Sequence, residues 1–126
     1  MIASQSVTFP AWVEGRKGSF RYARQGLRRL YRERNARIHA VATGCVAALG
    51  AVLGLGRVEW ALLVLAVTAV WVAEAMNTAL EVLADATDPQ HNPLIGAAKD
   101  VAAGAVLLAA TGAVGVGLLV FVPRLL

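Results

Sequence analysis

The chain has 126 residues, 58% of them apolar and only 16% charged, with a mean hydropathy of +0.62. Those values exclude an ordinary soluble domain and leave a single membrane-embedded one, because a bilayer must supply the apolar surroundings that so short a chain cannot build for itself. The net charge of +4 does not call for a nucleic-acid partner, since basic residues beside a span are held on the cytoplasmic side and attract anionic lipid headgroups.

Residues 1–18 mix Ser, Gln, Pro, Gly and charge without periodicity and read as a flexible N-terminal arm. No apolar stretch follows a basic start, so no cleavable signal peptide is expected. Phe20, Ala23, Leu27, Leu30 and Tyr31 then recur at three- and four-residue spacing among arginines, which predicts an amphipathic surface helix over about residues 19–32. A polar hinge, Arg32 to Arg37, leads into the first of three apolar runs. These predict transmembrane helices over about residues 35–55, 58–86 and 93–122, each near or above the ~20 residues that a hydrocarbon core requires. The fold class is therefore an all-α membrane protein, with residues 19–126 as its one domain.

Gly54, Gly56 and Arg57 make a tight connection between the first two spans, and Asp88, Pro89, Asn92 and Pro93 make the second. Nine of the 12 Lys and Arg residues precede the first span, so the N-terminus and the Asp88 loop are expected in the cytoplasm and the C-terminus outside. Gly50 and Gly54 form a GxxxG spacing that suits helix packing within one chain or between chains. The lone Cys45 excludes an intrachain disulfide and reads as a small buried apolar residue.

Glu74, Asn77, Thr78, Glu81 and Asp85 stand within or at the end of the second apolar run. Ionisable groups at membrane depth are costly and default to a functional reading. At 100° per residue, Glu74, Glu81 and Asp85 fall within about 40° of one another and Asn77 about 60° away, a single stripe that climbs roughly 16 Å to the cytoplasmic boundary. Lys99 and Asp100 open the third span on that side, and Glu33, Asn35 and His39 open the first. Several carboxylates, two amides and a lysine form a set of donors suited to Mg²⁺ and phosphate. Taken singly, Asn77 and Thr78 read equally well as interhelical hydrogen-bond donors, Glu81 and Asp85 as a solvated helix end, and His39 as a packing or headgroup contact. A carboxylate-lined cation path in a small transporter or channel subunit is the alternative function. It requires polar residues to continue outward, whereas Ala61 to Ala73 are apolar apart from Thr68. No GxxxxGK[ST] loop and no protein-kinase signature occurs.

The segments ERNARIH (Glu33 to His39), AEAMNTALEVLAD (Ala73 to Asp85) and AKDVAAGAV (Ala98 to Val106) closely resemble the small prokaryotic diacylglycerol kinase family, which includes the undecaprenol kinases. The resemblance extends over about Gly18 to Phe121. It implies a homotrimer with shared active sites at the cytoplasmic face of the inner (plasma) membrane, which phosphorylates a lipid alcohol, undecaprenol or diacylglycerol, from ATP with Mg²⁺. By position, Glu74 resembles the family's general base, and Glu33 and Glu81 its magnesium carboxylates beside the ATP phosphates. Lys99, Asp100 and Asp85 match nucleotide or phosphate positions, and Asn77, with Asn35 and Thr78, supporting or substrate positions. Leu80 replaces the more usual Ile, and Gly96 stands where the undecaprenol branch often has Lys, while the RIH stretch favours that branch.

Overall fold

The computed structural model describes residues 15–87 and 92–126. The expected arm up to residue 14, and Asp88 and Pro89 of the second connection, lie outside the described residues. Four helices follow one another: α1 (Gly15–Tyr31), α2 (Arg34–Leu53), α3 (Arg57–Thr87) and α4 (Pro93–Leu125). The last three are long and apolar enough to cross a membrane.

Each boundary has a local cause. α1 opens at Gly15, ahead of the start expected from Phe20, and closes in a turn where the amides of Arg32 and Glu33 donate to the carbonyls of Arg29 and Leu30. Glu33, with an extended backbone, caps α2. α2 ends because Gly54 takes the left-handed conformation (φ 64°), which lacks the steric cost a side chain would add. Asn92 caps α4 by accepting the amide of Leu94 at 2.9 Å, with Pro93 in the first turn where its missing N–H costs nothing.

The Gly50/Gly54 spacing serves the turn of this chain. Gly54 supplies the positive φ, and Gly50 lies under the Trp60 indole, where a Cβ would stand 2.7 Å from a ring carbon. Around this turn Leu55, Leu63, Val120 and Phe121 form the buried cluster, with Val46, Leu53, Trp60 and Val116 packed on it. Arg124 ties the same end together: its guanidinium donates to both Glu59 carboxylate oxygens and to the carbonyls of Leu53 and Gly54, the exposed C-terminus of α2.

α3 and α4 run antiparallel and make the most extensive helix contact, with α2 laid on α3. Most large apolar side chains face outward, Val52, Leu108 and Leu119 among them at 75–82% exposed, so lipid or another protein surface must cover them. Cys45 corrects the sequence expectation: it is exposed on the outside of α2, because a helix apolar all round gives no sign of which residues turn inward.

Candidate functional site

The polar residues gather at the end of the bundle where α2 begins and α3 finishes, and they form two tiers. The inner tier is buried. Glu74 is 2% exposed on α3, and its Oε2 lies 3.5 Å from His39 Nε2 on α2 without forming a hydrogen bond to any group. Burying a carboxylate without full pairing is unfavourable and persists where it serves something else. Asn77, one turn further, is also buried with its Oδ1 unpartnered, and Thr78 is buried beside it.

A second network holds this tier in place. The hydroxyl of Thr43 donates to the carbonyl of His39 at 2.7 Å and accepts the Trp71 indole N–H at 3.1 Å. The imidazole of His39 stands edge-on to Trp71 with centroids 6.3 Å apart, and the Tyr31 ring at the end of α1 lies 5.6 Å from the same indole. α1, α2 and α3 thus meet at Trp71, one turn before Glu74.

The outer tier is exposed. Glu81 and Asp85 continue the stripe into solvent, and Asp85 Oδ1 is 3.6 Å from Lys99 Nζ at the start of α4. Asp100, Glu33 and Asn35 are exposed at the same end. The structure therefore joins Glu74 to His39 and Asp85 to Lys99. Among the described residues it does not join Glu33, Asn35, Glu81 or Asp100 to them by any hydrogen bond or ion pair. Nor do three His, Cys, Asp or Glu side chains among those residues stand together to hold a metal ion. Magnesium, however, is commonly held by one or two carboxylates and completes its shell with water and substrate phosphates. Glu33 and Glu81 are both exposed at this end and offer hard oxygens of the kind such an ion takes.

Two grooves lead away from the inner tier. One, of about 600 Å³, runs between α3 and α4 and is lined by Asn77 with Ala73, Leu80, Ala98, Val101 and Ala102. The other, of about 250 Å³, lies among α2, α3 and α4, from His39 and Thr43 down to Gly117 and Phe121. Apart from Asn77, His39 and Thr43 their walls are apolar, which suits hydrocarbon.

The sequence singles out Glu74 and Asn77 as site candidates, reads His39 as a packing or headgroup contact and Tyr31 only as part of the amphipathic face, and does not single out Thr43 or Trp71, which the structure places beside His39 and Glu74. The available signal was the spacing: His39 and Thr43 are four apart and Trp71 and Glu74 three apart, so each pair shares one helix face. Nothing in the spacing said that the two faces meet.

The profile of prokaryotic diacylglycerol kinase matches residues 21–121. The undecaprenol kinase of Bacillus subtilis (strain 168) is 39% identical over 93% of this chain and 89% of its own length. The diacylglycerol kinase of Synechocystis sp. (strain ATCC 27184 / PCC 6803 / Kazusa) is 43% identical over 86% of this chain and 63% of its own length. No solved structure matches the chain. With four-fifths of its length matched and the buried Glu74 and Asn77 at the centre of the matched segment, the chain belongs to the prokaryotic diacylglycerol kinase family.

Proposed function

We propose that this protein is a lipid kinase that transfers the γ-phosphoryl group of ATP, with Mg²⁺, to the hydroxyl of a membrane lipid alcohol, undecaprenol or diacylglycerol, at the cytoplasmic face of the inner (plasma) membrane. The observation that carries the reading is the two-tier arrangement: a buried Glu74 carboxylate whose Oε2 has no hydrogen bond, apolar grooves lined by its neighbours Asn77 and His39, and a charged, exposed tier beyond it. A lipid alcohol presents its hydroxyl at such a boundary, and ATP reaches it only from the wet side.

Glu74 takes the proton from the lipid hydroxyl as its oxygen attacks the γ-phosphorus and ADP departs. Asn77, buried one turn further on, donates a side-chain amide N–H to the oxygen of that hydroxyl and leaves its proton to Glu74, with Thr78 and Asn35 supporting the substrate end. Lys99, held by Asp85, meets the phosphates with Asp100. Glu33 and Glu81 are the residues that would hold Mg²⁺, which would supply neutralisation of phosphate charge during transfer. α1 lies along the membrane surface with Phe20 and Leu27 exposed for the headgroup layer, and a homotrimer covers part of the outward apolar faces and shares its sites. The names of the two relatives support both lipids as substrates. The conduit alternative is not favoured, because outward from Glu74 the buried positions of α3 are Val70 and Leu63.

The test is phosphate transfer from labelled ATP in mixed micelles, with and without Mg²⁺, to undecaprenol and diacylglycerol in parallel, with Glu74→Gln as control. Magnesium-dependent labelling of one lipid that is lost in the variant supports the reading. No labelling of either lipid by a folded oligomer sinks it.

A further inference from the structure

We infer that His39 is a positioning residue for the phosphoryl transfer: its Nε2–H holds one oxygen of Glu74 and so keeps the other aimed at the lipid hydroxyl. The inference rests on the reading of Glu74 as the base. Oε2 of Glu74 is buried with no hydrogen bond, and His39 is the basic side chain that faces it, at 3.5 Å. A closure of a few tenths of an ångström makes this a charge-assisted hydrogen bond of ordinary length.

Besides Glu74, the imidazole has the Trp71 ring standing edge-on to it, and on its own helix the His39 backbone carbonyl accepts the Thr43 hydroxyl, which in turn accepts the Trp71 indole N–H. His39 and Thr43 therefore form the α2 half, and Trp71 and Glu74 the α3 half, of one interlocked contact. The histidine side chain is 21% exposed against 2% for the glutamate, which places it at the rim of the smaller groove. A base held by a fixed donor meets its substrate in one orientation, and that orientation affects the rate of the chemical step without adding to ground-state binding.

The experiment uses the full-length protein in lipid nanodiscs. It compares His39→Leu, which keeps bulk without a donor, His39→Gln, which restores an N–H near Nε2, Glu74→Gln, and the Glu74→Gln/His39→Leu double variant. For each, kcat, the KM for lipid and for MgATP, and the unfolding midpoint in SDS are measured. His39→Leu is expected to lose about ten-fold or more in kcat with both KM values within about two-fold, and His39→Gln to recover most of that loss. The double variant is expected to be no slower than Glu74→Gln. Wild-type kcat in His39→Leu beside an inactive Glu74→Gln overturns the inference and leaves the base assignment standing. A loss in His39→Leu that Gln does not restore and that follows a lowered unfolding midpoint also overturns it, in favour of a packing role. Normal turnover in Glu74→Gln removes the base assignment, and the inference with it.

Discussion

The Thr43–Trp71 hydrogen bond is the contact most open to a quantitative test. Thr43→Val keeps the shape of the side chain and removes its oxygen. The Trp71 indole N–H, now 3.1 Å from that oxygen, is left facing a methyl group at membrane depth, where water does not replace the lost partner. Hydrogen bonds between membrane helices average about 0.6 kcal/mol in double-mutant cycles and reach about 1.7. This one belongs in the upper half of that range, because the hydroxyl already donates to the His39 carbonyl at 2.7 Å and is thereby a better acceptor. Trp71→Phe leaves the hydroxyl bonded to its own helix, so its cost is mainly lost packing against Tyr31 and His39. A cycle of the two single variants and the double variant, unfolded in SDS and followed by far-UV circular dichroism, should give a coupling of about 1 kcal/mol. Additivity within about 0.3 kcal/mol would refute the reasoning and leave α1, α2 and α3 without the proposed junction beside Glu74.

Two further predictions concern opposite ends of the bundle. Gly50→Ala places a Cβ 2.7 Å from the Trp60 ring and 3.0 Å from Leu55, and the overpacking should lower stability by about 1–3 kcal/mol, read as a lower SDS unfolding midpoint; an unchanged midpoint contradicts the close approach. Asp85→Asn removes an ion pair whose carboxylate is 73% exposed, so stability should change by less than about 1 kcal/mol, while the KM for MgATP rises several-fold as Lys99 loses its anchor. A stability loss with unchanged KM reverses that assignment.

The spans were legible because hydropathy and length alone decide whether a helix crosses a bilayer, and Gly54 and Asn92 marked real ends. The stripe on α3 was legible because five polar residues in an apolar run have no cheap explanation. Which faces meet was not legible. The spans carry apolar residues on nearly every side, so periodicity could not tell that Cys45 faces outward, that the Gly50 surface receives Trp60, or that His39 faces Glu74. For the same reason the stripe read as one unit, whereas the structure divides it into buried Glu74 and Asn77 and exposed Glu81 and Asp85.

That division agrees with the length of α3 set against a bilayer. Arg57 and the Glu59–Arg124 pair make one end of the helix charged, which sets it at a membrane edge. Glu74 stands seventeen residues further on, about 26 Å along the axis, and Glu81 twenty-four residues on, about 36 Å. With Arg57 set at one edge of a hydrocarbon core of about 30 Å, Glu74 would lie just inside the far boundary and Glu81 in the headgroup layer. On the proposed function, the carboxylate that would meet a lipid hydroxyl and the one that would meet a phosphate are separated by two turns of one helix, each on its own side of that boundary. With Cys45 replaced by Ala, single cysteines at Glu81, Ala73 and Val70 should react with a membrane-impermeant maleimide added to the cytoplasmic side strongly, weakly and not at all. Equal labelling of Glu81→Cys and Val70→Cys would mean that water enters past Glu74, and the boundary drawn here would be wrong.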